Sequence, residues 1–468
     1  MASPTVRILG FVNHIAPVPG IEAAIAQAID WGVDVIVAQG TGSDWGPYWL
    51  GSGEQVAANQ AANVEPYVRA AVEHGIPFVF SFGIAGADPH LDTCLAAFDG
   101  LCARNGWALD IGVIRSEVGR ERLLAAVAAG PPVVPAGAGA QLSPRLTAQD
   151  VEAAERVVAL IGPEPVMAAL AHGVDGVITG RALDIGLFMA LPMLRSIPTA
   201  VAAHAGKLLE CGGLALEPGD SGRCIWASLD ETGFEVRSPD PDVRATIRSL
   251  VSHTFYERSH PTQEDNPGGR LDLAGATYEE TPTGIRCEGA QWVEAPYTVL
   301  LEGARREGFR AVTLLGVREP ALLAQARSWA DRAEAAVTAA PRFSDAVADG
   351  RLRLTTRIFG STPYSARLSR TPPSPVTRLG SWSTSSRTPR SWPRRRPTSP
   401  SSGSSSGPTR AARPLPATPP PRSCPSSSRC PRCSPSRSTI CCRSRTRSSR
   451  SPSSSRPSPA PRLLRRLP

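Results

Sequence analysis

Lysine is almost missing from this chain: Lys207 is the single one among 50 basic residues. From Ser361 to Pro468 there is no Asp, Glu or Lys, while 22 Arg, five Cys (Cys424, Cys430, Cys433, Cys441, Cys442) and abundant Ser and Pro remain. No apolar run approaches the ~20 residues of a membrane span. Met1–Gly10 also lacks the basic run and long apolar core of a secretory signal. A cytoplasmic chain that does not enter the membrane is expected. The other cysteines (Cys94, Cys102, Cys211, Cys224, Cys287) are odd in number and scattered, which fits reduced thiols better than a disulfide framework. Neither G-x-G-x-x-G nor a P-loop is present, so no dinucleotide or ATP site is expected and the cofactor stays undefined.

The net charge of +8 misleads. With 22 of the 50 basic residues in the tail, the first 360 residues hold 28 against all 42 acids, a net of −14. An acidic body gives no reason to expect a nucleic-acid partner. The tail has the composition of a disordered Arg/Ser/Pro arm. Arg written for nearly every Lys points to GC-rich coding DNA, and there a one-base frame shift explains the tail better. Back-translated and read one base earlier, Leu379–Pro393 becomes ARVVVDVVADTQELA, with the apolar runs and acids of a folded segment. The Cys430–Cys433 pair is then a coincidence of the wrong frame.

Residues 1–215 alternate short apolar runs with amphipathic stretches. Strands are predicted at Val6–Phe11, Val33–Ala38, Pro77–Phe82, Leu109–Ile114, Pro132–Pro135 and Val174–Ile178. Helices are predicted at Ile21–Trp31, Gln55–His74, Leu91–Asn105, Arg120–Ala129, Ala148–Leu160, Leu183–Leu191 and Thr199–Leu209. The pattern is that of an α/β domain, a mainly parallel sheet with helices on both faces. Residues 216–358 read as a smaller, incomplete α+β domain. It has hairpins at Cys224–Val236 and Ala276–Val293, strands at Thr298–Leu301, Ala311–Val317 and Arg351–Ile358, and helices at Pro241–Tyr256 and Leu322–Ala339. Residues 359–468 form the tail.

Ligands of an open α/β sheet bind beyond the carboxyl ends of its strands. Three Gly-rich loops fall there, and they supply the candidate ligand-binding residues Gly40, Thr41, Gly42 and Asp44; Gly83, Gly86 and Asp88; and Thr179, Gly180, Arg181 and Asp184, with Gly212 as a further candidate. Arg181, at a helix start, has the fork to grip a carboxylate or phosphate. Asp88, His90 and Asp92 offer hard metal ligands or an acid–base pair, but no second His cluster completes a metal shell. His90, Asp92 and Glu210 are the candidate catalytic residues, Glu210 facing the cleft with Gly212 as the helix stop. Cys211 sits at a helix C-terminus, which disfavours a thiolate. His204 and Lys207 read as ordinary helix-surface residues, and His253, Tyr256 and His260 as the end of a helix before a loop. Convergence of Asp44, His90, Arg181 and Glu210 in one pocket would favour catalysis.

The segments SFGIAGADPHLD, GVDGVITGRALD, AHAGKLLECGG, Val243–Glu257 and LEGARREGFRAVTLLGVREP resemble the acyclic terpene utilisation family in its short form, over about residues 5–358. The re-framed tail, with PYPGRKATAGN and YHLLPVTDP, resembles that family's C-terminal region. The resemblance implies bacterial catabolism of acyclic terpenes such as citronellol and geraniol, alongside acyl-CoA enzymes. It marks Gly180, Arg181, Asp184, Glu210, Cys211 and Gly212 as motif positions and transfers no catalytic role. The expected activity is on a branched acyclic acid or its CoA thioester. The alternatives are a non-catalytic binding subunit of an acyl-CoA enzyme, or a nonfunctional product of a frameshifted gene. A homo-oligomer is expected where the C-terminus is intact.

Overall fold

The structure, a computed structural model, describes residues 4–359 apart from 43–44, 55–58, 137–142, 257, 259 and 318. The chain begins with β1 (Val6–Val12), α1 (Ile21–Trp31), β2 (Val35–Gln39), α2 (Pro47–Ser52), α3 (Gln60–Asn63) and α4 (Glu65–His74). Next come β3 (Phe78–Ser81), α5 (Asp88–Asn105), β4 (Ile111–Ile114), α6 (Arg120–Ala129) and α7 (Ala148–Ala153). β5 (Ala154–Leu160), α8 (Glu164–Ala171), β6 (Gly176–Thr179), α9 (Asp184–Leu194) and α10 (Thr199–Leu209) follow. Then come β7 (Ile225–Leu229), β8 (Gly233–Arg237), α11 (Ile247–Thr254), β9 (Gln263–Asn266) and β10 (Gly269–Asp272). β11 (Thr277–Glu280), β12 (Ile285–Glu288), β13 (Gln291–Glu294) and β14 (Leu300–Arg305) complete a compact unit that reaches Glu307.

One sheet of nine strands dominates that unit, in the order β11-β12-β8-β7-β1-β2-β3-β6-β4. From β1 to β4 the pairings are parallel; from β1 to β11 they are antiparallel. Both faces are covered, and the sequence period shows why. Along β1 and β2, Val6, Ile8, Val35 and Val37 pack on the face carrying α8, α9 and α10. Their neighbours Leu9, Phe11, Ile36 and Ala38 pack on the opposite face, with α1, α4 and α5. A strand buried on both sides cannot alternate apolar with polar, so it reads as the run VIVAQ. α1 buries Ile21, Ala24, Ile25 and Ala28, the i, i+3, i+4, i+7 stripe of a one-faced helix. α10 differs: Val201 through Leu209 are all buried, because sheet strands lie on one side and β10 and β13 on another.

The expected boundary at 215–216 falls just before β7, and β7 pairs with β1 in the same sheet. The predicted helix 148–160 ends at Ala153 instead. Thr147 and Asp150 form a capping box for α7, and Ala154–Leu160 is a strand paired with β14. The branched residues Val157 and Val158 suit a strand once that distant partner is available. No strand forms at Pro132–Pro135, Ala311–Val317 or Arg351–Ile358. The first segment has prolines that cannot donate to a ladder, and the other two have no ladder partner among the described residues. A second unit begins at Gly308; its described part holds α12 (Pro320–Leu323), α13 (Ala326–Thr338) and α14 (Pro341–Ala348), with α13 packed on both neighbours. Among the described residues no helix is long and apolar enough to cross a membrane.

Candidate functional site

Strands β1, β2, β3, β6 and β4 all point their carboxyl ends the same way, so the loops after them gather on one rim. A buried polar network ties three of these loops. Gln60 donates to Asn13 Oδ1 (2.6 Å) and to the Gly40 carbonyl (2.7 Å), and its Oε1 accepts from the Gly83 amide (2.8 Å). The Gly40 amide donates to Ser81 Oγ (2.8 Å). Gly86 sits at φ +70°, and a Cβ there would lie 2.3 Å from the Arg181 nitrogen; one on Gly180 would lie 2.4 Å from the Gly86 carbonyl. These glycines let loop approach loop. Gly42 is different: a Cβ there meets nothing within 4 Å, and the residue borders a cleft.

That cleft, about 280 Å³, opens at the rim. Val12 and Gln39 come to it from the ends of β1 and β2, and Arg181 and Asp184 from the β6–α9 turn. Glu210 and Cys211 come from the end of α10, Leu214 and Ser221 from the turns that follow, and Tyr256 from just beyond α11. Arg181 is buried and fully engaged. Its Nε donates to Glu302 Oε2 (3.0 Å) and its Nη2 to Glu302 Oε1 (3.3 Å). Its Nη1 reaches the carbonyls of Thr41 (3.1 Å) and Ala182 (2.8 Å) and Asp184 Oδ1 (3.2 Å). Burial opposes its charge, but the two carboxylates outweigh that and raise its pKa. Arg181 therefore frames the rim; a ligand carboxylate would compete with Glu302 for it.

Lys207 and Glu210, one turn apart on α10, meet at 2.5 Å with both side chains buried. Burial pushes the Glu210 carboxyl up against the pull of Lys207, while that carboxylate lifts Lys207 against its own burial. Each group is the other's counter-charge in a buried site, so the ionised pair is the state the geometry supports. Tyr256 places its ring 6.0 Å from Lys207 Nζ. His253, on the last turn of α11, stacks on Tyr256, and burial, with the cations Lys207 and Arg258, holds it down to about 4. Arg258 lies 2.7 Å from Glu264.

The structure corrects several expectations about where side chains lie. His204 and Lys207 are not on a helix surface; they are 0% and 5% exposed. His90 is buried with Nε2 on the Trp49 carbonyl (2.9 Å), and burial lowers its pKa. It does not border the cleft. Asp92 is exposed and paired with Arg115 (2.6 Å), which also lies 3.5 Å from Asp88. Asp88 and Asp92 thus share Arg115, while His90 turns to the Trp49 carbonyl. Thr179 is buried and donates to the Gly180 carbonyl (3.0 Å). Gly212, at φ +56°, turns the chain after Cys211 against Phe11 and Arg223. Asp44 lies outside the described residues. Arg181, Asp184 and Glu210 are the predicted residues that share the cleft with Gly42.

Sequence reasoning passed over Lys207, His253 and Tyr256 as site residues. One signal was present: a chain that writes Arg almost everywhere keeps its single lysine at the residue that meets Glu210. None of the five cysteines in the described part is in a disulfide.

No curated protein and no solved structure matches this chain. One family model does, that of the acyclic terpene utilisation family protein AtuA, over residues 53–349. The matched stretch takes in Arg181, Asp184, Glu210, Cys211 and Tyr256, which line the cleft, and α11 with His253. The chain belongs to the acyclic terpene utilisation family.

Proposed function

We propose that this protein acts in bacterial breakdown of acyclic terpenes, on a branched acyclic acid carried as its CoA thioester, and that the cleft at the strand ends holds the thioester end. Membership of the family supports the setting. The observation that carries the site is the composition of the cleft: the Glu210 carboxylate, backed by Lys207, shares it with Val12, Leu214 and Tyr256. Such a wall accommodates a branched hydrocarbon beside a polar reacting group, as small-molecule sites commonly do. Arg181 and Lys207 each already face a carboxylate. A neutral thioester carbonyl is therefore the better match than a free carboxylate, which would have to displace one of them. The Glu210 carboxylate is the proton acceptor at the reacting end; His90 and Asp92 do not border the cleft.

Melting temperature and turnover test this with a panel of branched thioesters, the matching free acids and straight-chain thioesters, each with and without divalent metal. Binding to the native state raises the melting temperature. Branched thioesters should give the largest rise, and Glu210→Gln should abolish turnover. No shift and no turnover with any member of the panel would remove support for the reading.

A further inference from the structure

We infer that Glu210, Cys211 and His253 form a binding site for a borderline divalent cation of the zinc type, open to the cleft on its fourth side. One carboxylate oxygen, the Cys211 thiol sulfur and one imidazole nitrogen all lie within 4.8 Å of one another. Ligands of a tetrahedral zinc, at about 2.0–2.3 Å from the ion, stand roughly 3.5 Å apart, so closing the shell takes about an ångström of side-chain movement. Two of the donors are adjacent in sequence at the end of α10, and the third is fixed on the last turn of α11.

His253 supplies the second, independent observation. It is 5% exposed, and among the described residues its Nε2 has no hydrogen-bond partner. A buried ring nitrogen left without a partner is unusual in a folded protein and calls for an explanation such as an ion. A cation beside Cys211 and Glu210 satisfies it. Lys207 donates to Glu210 Oε1, which leaves the second carboxylate oxygen for the ion and fixes the carboxylate in place. Lys207 and Arg258, the cations near His253, each face a carboxylate, Glu210 and Glu264. A sulfur–nitrogen–oxygen donor set favours zinc, cobalt or iron over magnesium and calcium. Three protein ligands with a free position facing a cleft is the arrangement of a metal that meets substrate. On the reading above, that position faces the thioester carbonyl; the cation site itself does not depend on that reading.

The test is cobalt(II) titration of the full chain, stripped of metal by dialysis, with absorption spectroscopy. One equivalent should bind with a thiolate-to-cobalt charge-transfer band. Cys211→Ser should remove the band, His253→Gln should weaken binding by about ten-fold or more, and Cys102→Ser should change neither. Circular dichroism checks that each variant folds; if Cys211→Ser does not, His253→Gln and the zinc-induced rise in wild-type melting temperature decide. Failure to take up cobalt overturns the inference, as does uptake without the band. Uptake that survives both site variants and disappears in Cys430→Ser overturns it too, by assigning the metal to the tail. None of these readouts needs a substrate, so each stands apart from the thioester result.

Discussion

His204 lies at the centre of α10 with no exposed surface. Its Nε2 is 3.0 Å from the Tyr278 hydroxyl, and its ring meets Phe234 edge-on at 5.0 Å. Burial, helped by the nearby Arg258 cation, holds its pKa at about 3. In the unfolded chain it titrates near 6.5. Between these values the unfolded state binds a proton that the folded state refuses, so stability falls as pH falls. The slope is about 1.4 kcal/mol per pH unit, and the loss from pH 7 to pH 5 is roughly 2 kcal/mol from this residue alone. His253, held at about 4, adds a loss of the same sign in metal-free protein. The assay is urea unfolding at pH 7, 6 and 5 for wild type and His204→Gln. The variant starts less stable, because it disturbs a filled core, but its pH slope should be shallower by nearly the full His204 share. Carboxylates titrating in the same range cancel in the comparison. Equal slopes for the two proteins would refute the argument that His204 is kept neutral by burial.

Three further outcomes follow from the rim and the second unit. Gly86→Ala should destabilise by about 2 kcal/mol or more in urea unfolding, since the new methyl meets the Arg181 backbone at 2.3 Å on a residue held at φ +70°; an unchanged midpoint contradicts this. Glu302→Ala should cost about 2 kcal/mol, below the usual 3–5 for breaking a buried pair, because Asp184 remains on Arg181 and Glu302 is one-fifth exposed; thermal unfolding checks it. Val312 and Leu314 are 81% and 73% exposed in a segment of strand-like sequence. Val312→Ser with Leu314→Ser should lower binding of a hydrophobic dye without lowering the melting temperature, and unchanged dye binding would contradict it.

Local pattern was enough for α1, α6 and α10, whose bounds agree with the prediction to the residue. It was enough too for the parallel strands, whose two-sided burial produces runs of Val, Ile and Phe. The rim loops were legible because three Gly-rich turns follow strands of one parallel sheet and so fall at the same end of it. Partners distant in sequence were not. The strand character of Ala154–Leu160 depends on β14, and the commitment of Arg181 depends on Glu302, 121 residues away. Burial of His204 and Lys207 depends on strands packing against both sides of α10. The small apolar residues of TAVAAHAGKLL carried that message, since a helix apolar all round is a buried one. Cys211 and His253 are joined only by the fold, 42 positions apart in a chain whose charges elsewhere gave no hint of a shared site.

On the proposed function, the cleft bordered by Glu210, Leu214 and Tyr256 holds the substrate. Calorimetric binding of a branched acyclic CoA thioester to wild type and to Leu214→Trp decides this. Leu214 is 38% exposed on the cleft wall, so the larger ring can fill the space without entering the core. Affinity should fall by about ten-fold or more, near 1.4 kcal/mol, with the melting temperature unchanged. Equal affinity in the two proteins would place the substrate elsewhere.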